Sequence, residues 1–591
     1  KVTWIVTSVM MLLISFSYAQ GKTISGSVTD QTGLPLPGVS VVVVGTTSGT
    51  QTDFDGNYSI TAAVGQKLRF SYIGQKTTEI TIGTTNTVNV KLQDDAEALE
   101  EVIVVAYGTS KKSDFTGSAV QISAEEIKDR PISNVIQALQ GAAPGVNVSA
   151  ANGQPGSTPA IQIRGNGSFS SDNNPLYVVD GVQFGGDLSS LNSNDIESLT
   201  VLKDAASTSL YGSRAANGVV LITTKKGRQG RSTANLTVSQ GITSRAIPEY
   251  ERVNAQQYYP LLWEARRNAL SISGTVPVAT ANQRATDEIF GILGVNPFNV
   301  PNNQIVLTDG QLNPAASLLY PDDLDWQDPL VRAGNRKNVD FTYSGGTENS
   351  DFFASIGYLG DEGFIINSEF ERITGRVNVN SKVTDWLRTG VNISASTAVS
   401  NQASDGGSNS FVNPFFTTRT IAPIYPVFEH DPVTGAFILD DNGNKIYDFN
   451  NDNRVGNTTG RHVILETLLN TDIAQTDNIS GRTFAEITFL KDFTFTFNAT
   501  LDKRFFYRER FNTPVVGDAN PVGRSFKNSN IQTTINYNQL LNYNRDFGNH
   551  SVGVLLGHEN YDFKVESLFG TRQDFIVDGN TEIIIFATTT D

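Results

Sequence analysis

Phe493-Thr494-Phe495-Thr496-Phe497-Asn498-Ala499-Thr500-Leu501 places an apolar side chain at every odd position and a polar one at every even position. Successive residues of a strand point to opposite faces, so this stretch reads as a β-strand with one greasy face and one polar face. The same alternation recurs at Ile373, Gly375, Val377 and Val379 against Thr374, Arg376, Asn378 and Asn380, and again along Leu387 to Ala395. It returns at Ile531, Thr533, Ile535 and Tyr537 against Gln532, Thr534, Asn536 and Asn538. Each stretch covers roughly the 9–11 residues that a tilted strand needs to cross a bilayer. Half-buried sheets of a soluble sandwich alternate in the same way, so the pattern alone leaves a membrane barrel and a sandwich both open.

Connection lengths separate the two. With a first strand near Ala234 to Gln240 leaving the inner side, long connections fall at Gly241 to Lys337, Gly360 to Ser368, Ala398 to Asp477 and Lys503 to Asn528. Short ones lie between them at Gly346 to Asn349, Ser381 to Thr384, Leu490 to Asp492 and Asn544 to Asn549. A transmembrane barrel has this asymmetry, with tight periplasmic turns and extended outer loops, and a sandwich has no reason to keep it. About nine strands fit before Asp591, whereas a plugged transporter barrel uses about 22. Residues 230–591 therefore read as a partial barrel whose C-terminal strands are missing from this sequence, because an open sheet in lipid would leave two raw edges.

The chain carries a formal charge of −16 and no run of Lys or Arg, which argues against a nucleic-acid partner, since neutralising phosphates takes a basic face. It has no cysteine, so disulfides, thiol catalysis and thiolate metal sites are excluded. His430, His462, His550 and His558 are scattered, with no pair at the spacing that puts two imidazoles on one helix face, and each is expected to pack or face solvent. No nucleophile with a base, no metal cluster and no phosphate loop appears, so the chain reads as a non-enzyme that needs no cofactor.

Towards the N-terminus, the apolar stretch Trp4 to Phe16 is too short to cross a bilayer and is followed by Ser17-Tyr18-Ala19, with small residues where a signal peptidase reads. Residues 1–19 read as a secretory signal. Residues 20–92 read as a β-sandwich, with short runs such as Thr23 to Val28 and Tyr58 to Thr61 between Gly, Pro and Asp turns, and with Val39 to Val44 as a buried strand. Residues 93–113 read as a linker, acidic over Gln93 to Leu99, that carries the run Glu100-Glu101-Val102-Ile103-Val104-Val105-Ala106 before the polar Tyr107 to Ser113. An isolated strand of this kind has unpaired backbone groups and is a template for adding an edge strand to a partner sheet; an internal sheet strand is the blander alternative. Residues 114–229 read as one α/β domain. Helices open at Ala124 and Asn134, and strands follow at Ala160 to Arg164, Leu176 to Val179, Ile196 to Leu202 and Gly218 to Thr224.

Two resemblances bear on these segments. Leu34-Pro35-Leu36-Pro37-Gly38-Val39 and Thr52 to Ile60 resemble the carboxypeptidase-regulatory-like (transthyretin-like) domain family, which brings no catalytic residues of its own. Leu99 to Ser118, Ile163-Arg164-Gly165, Pro175 to Gly181 and the long run Asp195 to Ile222 resemble the TonB-box entry and plug of SusC/RagA-type TonB-linked outer-membrane transporters. The positions carrying the plug resemblance are Arg164, Gly165, Tyr177, Asp180, Gly181, Asp195, Glu197, Lys203, Asp204, Tyr211, Gly212, Arg214, Asn217 and Gly218.

The resemblance implies a mainly β chain: an N-terminal transthyretin-like β-sandwich, an α/β plug domain, and the first part of a large antiparallel transmembrane β-barrel. It implies a place in the outer membrane of a Gram-negative bacterium and import of a small-to-medium solute, an oligosaccharide or a peptide. The implied partners are TonB with its inner-membrane energising complex, a SusD-type surface lipoprotein and outer-membrane lipid. An outer membrane holds neither ATP nor an ion gradient, so uphill uptake needs a mechanical pull, which pairing Glu101 to Val105 with TonB would transmit along backbone hydrogen bonds. A TonB-dependent siderophore or vitamin receptor is the near alternative, and a secreted glycan-binding β-protein the distant one.

Within the plug, Arg164, Asp180, Asp195, Glu197, Lys203, Asp204 and Arg214 are candidates for buried or plug-to-barrel ion pairs, against an ordinary solvated surface. Gly165, Gly181, Gly212 and Gly218 suit tight turns. In the outer loops, Gln256 to Leu270 reads as an amphipathic helix whose face either meets a partner or packs on neighbouring loops. Asp448-Phe449-Asn450-Asn451-Asp452-Asn453 alternates oxygen ligands like a calcium loop, but Asn453 replaces the turn glycine and Thr459 stands where a Glu is needed.

Overall fold

The chain divides into two units, Lys1–Gly117 and Ser118–Asp591. The computed structural model describes residues 21–93 (without 32, 47, 73 and 74), 102–105, 108–111, 118–227 (without 129, 150–152, 171 and 172) and 232–575 (without 404–412, 450–459 and 549). Residues 1–19, expected to be a secretory signal, Glu100, Glu101 and Ala106, and most of the calcium-like loop lie outside the described residues.

In the first unit seven strands form two sheets: β1 (Lys22–Thr29), β2 (Ser40–Val43), β3 (Gly49–Gln51), β4 (Asn57–Ala62), β5 (Lys67–Tyr72), β6 (Gln75–Thr81) and β7 (Val90–Lys91). Their orders are β4-β1-β7 and β3-β2-β5-β6. Period two sorts the side chains, so in β4 Tyr58, Ile60 and Ala62 are buried while Asn57, Ser59 and Thr61 face out. They join Ile24, Val28, Val41, Leu68 and Phe70 in the core. The turn before β4 requires glycine: Gly56 has φ +75°, and a Cβ there would lie 2.6 Å from the Val28 carbonyl oxygen.

The run expected to be an isolated strand is paired. β8 (Val102–Val105) lies antiparallel to β9 (Gly108–Lys111), with Val105 opposite Gly108. The polar residues Gly108–Lys111, which have the composition of a linker, lie along one edge of β8 and satisfy part of its backbone.

The second unit begins with β10 (Ala119–Ser123), β11 (Val146–Ser149), β12 (Ala160–Ile163), β13 (Leu176–Val179), β14 (Val182–Gln183), β15 (Ile196–Leu202) and β16 (Val219–Thr224). Five of them form a sheet in the order β10-β15-β16-β13-β14, and β11 and β12 pair separately. Helix α1 (Ala124–Lys128) follows Ser123, whose backbone N–H donates to Glu126 at 3.2 Å. The second expected helix is a 3₁₀ turn, Val135–Leu139, closed by a capping box between Asn134 and Gln137. Ile122, Ile136, Leu139, Ile161, Leu199, Val201, Val220 and Ile222 form this domain's core. A short helix, α2 (Ala205–Thr208), leads into the 3₁₀ segment Ser209–Ala215.

Nine antiparallel strands complete the unit, paired in sequence order: β17 (Thr233–Thr243), β18 (Gly334–Gly346), β19 (Ser350–Glu362), β20 (Glu369–Thr384), β21 (Leu387–Asn401), β22 (Thr471–Phe489), β23 (Phe493–Asn512), β24 (Arg524–Phe547) and β25 (His550–Gln573). The sheet is open between β17 and β25. Connections 244–333, 363–368, 402–470 and 513–523 are long, and 347–349, 385–386, 490–492 and 548–549 are short, so the alternation holds at every turn. All of these strands but β17 overrun the 9–11 residues expected, and β23 and β24 stay paired through much of what the sequence suggested was an outer loop.

This sheet is polar within and apolar outside. In β20 the buried positions are Phe370, Arg372, Thr374, Arg376 and Asn378, and the exposed ones include Ile373, Val377 and Val379. Neighbouring strands continue the outer face with Val339, Phe341, Ile356, Val391, Ile393, Ile479 and Leu501, all exposed. A water-soluble sheet buries its apolar face, so this inversion suits a wall whose outer side meets lipid.

The long connections fold on each other. Helices α3 (Ala255–Ser271) and α4 (Val278–Leu293) pack together with residues of the 402–470 connection, including helix α6 (Val463–Leu469), which follows α5 (Pro414–Thr420) in that connection. Tyr259, Trp263, Ile289, Phe298, Trp326, Tyr425 and Ile464 fill their common core. The expected amphipathic helix is α3, and its apolar face packs on neighbouring loops: Trp263 Nε1 donates to Thr286 at 2.9 Å and Arg266 pairs with Glu288 at 2.5 Å.

Candidate functional site

The α/β domain sits against the polar face of the nine-stranded sheet, and every strand from β18 to β25 contributes a contact to it. Arg336 on β18 donates to the Ile132 carbonyl at 2.9 Å. Asp340, also on β18, accepts from Asn192 at 2.6 Å and Asn194 at 2.5 Å. Ser355 on β19 donates to Asp195 at 2.9 Å. On β20, one guanidinium nitrogen of Arg372 donates to the carbonyls of Ser133, Ser189 and Leu191 at 3.0, 2.8 and 2.9 Å. Arg504 on β23 approaches Asp187 at 3.5 Å, Gln532 on β24 donates to Gly185 at 2.6 Å, and Arg214 lies 4.2 Å from the centre of the Tyr561 ring on β25.

Asp180 is the hub of this seam. It follows β13 in a left-handed turn (φ +48°) completed by Gly181, which carries its carboxylate off the end of the strand. Thr224, at the end of the neighbouring β16, donates to it through its backbone at 2.9 Å and its hydroxyl at 2.5 Å. From the sheet, Arg376 of β20 approaches at 3.5 Å, Asn392 of β21 donates at 3.1 Å and Arg482 of β22 stands at 3.8 Å. Burial alone would raise the Asp180 carboxyl, but the charges of Arg376 and Arg482 and the two Thr224 bonds outweigh it and hold the group below the usual carboxylate range. For Asp195 the balance is reversed. Burial, reinforced by the charge of Asp340, exceeds the pull of Arg376, Ser355 and Lys225, so its carboxyl titrates above the usual range.

The other positions singled out in the sequence take separate roles. Arg164, Gly165 and Gly212 form exposed turns with positive φ, while Tyr211 is buried. Lys203 donates to the Pro144 carbonyl at 3.1 Å, and Asp204 caps α2 and accepts from the Ser118 backbone at 2.5 Å, so both act within the domain. Arg214 also donates to Gln183 at 2.6 Å, Asn217 to the Asn174 carbonyl at 3.4 Å, and Glu197 is exposed. Tyr177 is half-buried against the domain core. Gly218 has φ +93°, and a Cβ there would lie 2.7 Å from Ile163 Cδ1, so the entry to β16 has no room for a side chain.

The reading of sequence missed the sheet's half of the seam. Arg376 stands out only as one of a polar row, and Arg372, Asp340, Asn392 and Arg482 not at all, although charged residues recurring in the inward row of an alternating strand are the available signal.

Residues 111–219 match the TonB-dependent Receptor Plug Domain family, and residues 24–104 the CarboxypepD_reg-like domain. TonB-dependent receptor P3 of Formosa agariphila is 30% identical over 576 residues, spanning 96% of this chain and 50% of that protein. TonB-dependent receptor SusC of Bacteroides thetaiotaomicron is 34% identical over 371 residues, 61% of this chain and 32% of that protein. A solved structure of the RagAB peptide importer in its open-open state aligns with a TM-score of 0.61 and 25% identity, covering 80% of this chain and 50% of that one. The chain carries a TonB-dependent receptor plug and is similar to SusC and to RagAB. It spans half or less of the length of these curated relatives. In this chain the α/β domain is the plug, and the nine strands are the wall against which it is seated.

Proposed function

We propose that the full-length protein imports a nutrient, an oligosaccharide or a peptide, through an outer-membrane β-barrel, with TonB supplying the pull and a SusD-type surface lipoprotein closing the outer side. The observation that supports this best is the seam. A greasy interface would fix the plug in place, whereas one built of hydrogen bonds and long ion pairs around Asp180 can be exchanged for other polar contacts or water as the plug shifts.

The hairpin of Val102–Val105 with Gly108–Lys111 fits a TonB-box role. A two-stranded hairpin is marginal by itself and retains a free edge for a third strand. Deleting residues 100–106 is expected to abolish uptake of the solute while leaving barrel insertion intact; normal uptake in the deletion strain would refute the TonB-box assignment. Growth of a clean deletion mutant on glycans, peptides and ferric chelates separates nutrient import from siderophore uptake.

A further inference from the structure

The chain enters the plug at Ser118, the first residue of the second unit, and both backbone groups of Ser118 are held by residues just past the end of β15. Its carbonyl accepts from the Lys203 backbone at 3.1 Å, which carries the ladder of β10 and β15 one step beyond the pair Ala119 and Leu202. Its N–H donates to Oδ2 of Asp204 at 2.5 Å, across 86 positions of sequence. The same carboxylate closes the first turn of α2. Oδ1 accepts from the Ser207 backbone at 2.9 Å, and Oδ2, the oxygen that holds Ser118, also accepts from the Ser207 hydroxyl at 3.0 Å. One charged side chain therefore ties the incoming chain to the start of a helix, and bonds to a charged acceptor are stronger than neutral ones.

The tie matters because of what α2 leads into. Ser209–Ala215 follows it directly and has no side-chain cap of its own. Its Arg214 reaches Gln183 at 2.6 Å on one side and the Tyr561 ring of β25 at 4.2 Å on the other. A helix of four residues cannot sustain itself, since forming the first turn is unfavourable and nearly all of its backbone groups are end groups. Its order comes from the Asp204 cap and from whatever fixes Asp204. At the other end of the tie, β10 is the edge strand of the five-stranded sheet, so Ser118 can leave without parting any pair among β15, β16, β13 and β14.

We propose that Asp204 couples the position of Ser118 to the plug's hold on the wall. When Ser118 is drawn away, the carboxylate loses the donor that orients it, the first turn of α2 loosens, and Ser209–Ala215, which carries Arg214 to Tyr561, is freed to move. Asp204 is a positioning residue that acts on Arg214 through the helix. The inference deepens the import reading and rests on it for the pull on the chain ahead of Ser118, whereas the linkage itself belongs to the folded plug and needs neither TonB nor solute.

Amide hydrogen exchange on the purified full-length protein in detergent, read by mass spectrometry, tests the linkage. Ser118→Pro removes the N–H and leaves Asp204 in place. Asp204→Asn keeps an oxygen for the Ser207 N–H, since asparagine caps helices about as well as aspartate, but its amide nitrogen cannot accept from Ser118. Each variant is expected to speed exchange at residues 209–215 by about threefold or more while β17 to β25 exchange as before. The double variant S118P/D204N should be no faster than either single one, because both cut the same link. Faster exchange in S118P that stays within residues 118–123, or a double variant whose effect is the product of the two singles, would overturn the proposal. Uptake that proves independent of residues 100–106 would sink the import reading and leave the exchange result standing.

Discussion

The carboxylate of Asp180 and the guanidinium of Arg376 meet across the seam at 3.5 Å, one from the plug and the other from the wall, with both side chains largely buried. They are 196 residues apart in sequence, and Arg482 adds a second cation at 3.8 Å. Removing one partner of such a buried pair leaves an uncompensated charge, which costs about 3–5 kcal/mol. Asp180→Asn is therefore expected to lower the stability of the seated plug by that order, read as a drop in the thermal unfolding midpoint. The double variant D180N/R376Q should cost clearly less than the sum of the single changes; strict additivity would mean that the two groups do not interact.

Asp180 and Asp195 should respond to pH in opposite senses. The Asp180 carboxyl is held below its unfolded value of about 4, so its contribution is present above that pH and lost as the pH falls through the folded value. The Asp195 carboxyl is raised, so its contribution is full below the unfolded value and lost as the pH rises through the folded one. Asp195→Asn should thus raise the unfolding midpoint at neutral pH and leave it nearly unchanged in acid. Asp180→Asn should lower the midpoint at neutral pH, with the deficit shrinking as the pH falls. Parallel profiles for the two variants would contradict this assignment.

A single proline tests the hairpin without shortening the chain. Val104 stands opposite Thr109 in the hairpin, and proline removes the backbone N–H needed either for that pairing or for a partner strand. V104P is expected to reduce uptake at least tenfold with unchanged heat-dependent migration on gels, whereas Val104→Ile should transport normally. Equal impairment by both would point to side-chain recognition rather than strand addition.

The loop body has its own core and should come apart independently of the wall. Trp326 is almost fully buried, and its indole N–H donates to the Tyr425 carbonyl at 2.8 Å. Trp326→Ala should cost about 3–5 kcal/mol. Limited proteolysis is expected to open cleavage sites within 244–333 and 402–470 while the strands β17 to β25 stay protected; cleavage confined to the strands would disprove the separation.

The wall was legible in the sequence because a bilayer enforces period two and its two sides enforce unequal connections, so Phe493 to Leu501 and the turn lengths carried the pattern by themselves. Helix α4 was not. Its buried face is Ala281, Ala285, Thr286, Ile289 and Leu293, opened by two alanines and holding a polar residue, and Thr280, Asn282 and Gly291 dilute the signal further. The β8–β9 pairing was hidden for a different reason, since Gly108–Lys111 has linker composition and becomes a strand only because Val102–Val105 offers it an edge. For the seam, the charge of Asp180 was visible in the sequence but its partners were not, because no local rule links a plug turn to arginines on β20 and β22.

The strands lengthen along the sheet, from 11 residues in β17 to 24 in both β24 and β25. At about 3.3 Å per residue and a tilt of about 40°, the shortest climbs about 28 Å, close to the hydrocarbon thickness of a bilayer, and the longest about 60 Å. Since the inner turns are tight, the surplus stands on the far side as a parapet, high on one flank and low on the other. The rim is therefore paired strand where β24 and β25 stand, and the folded 244–333 connection where β17 and β18 end.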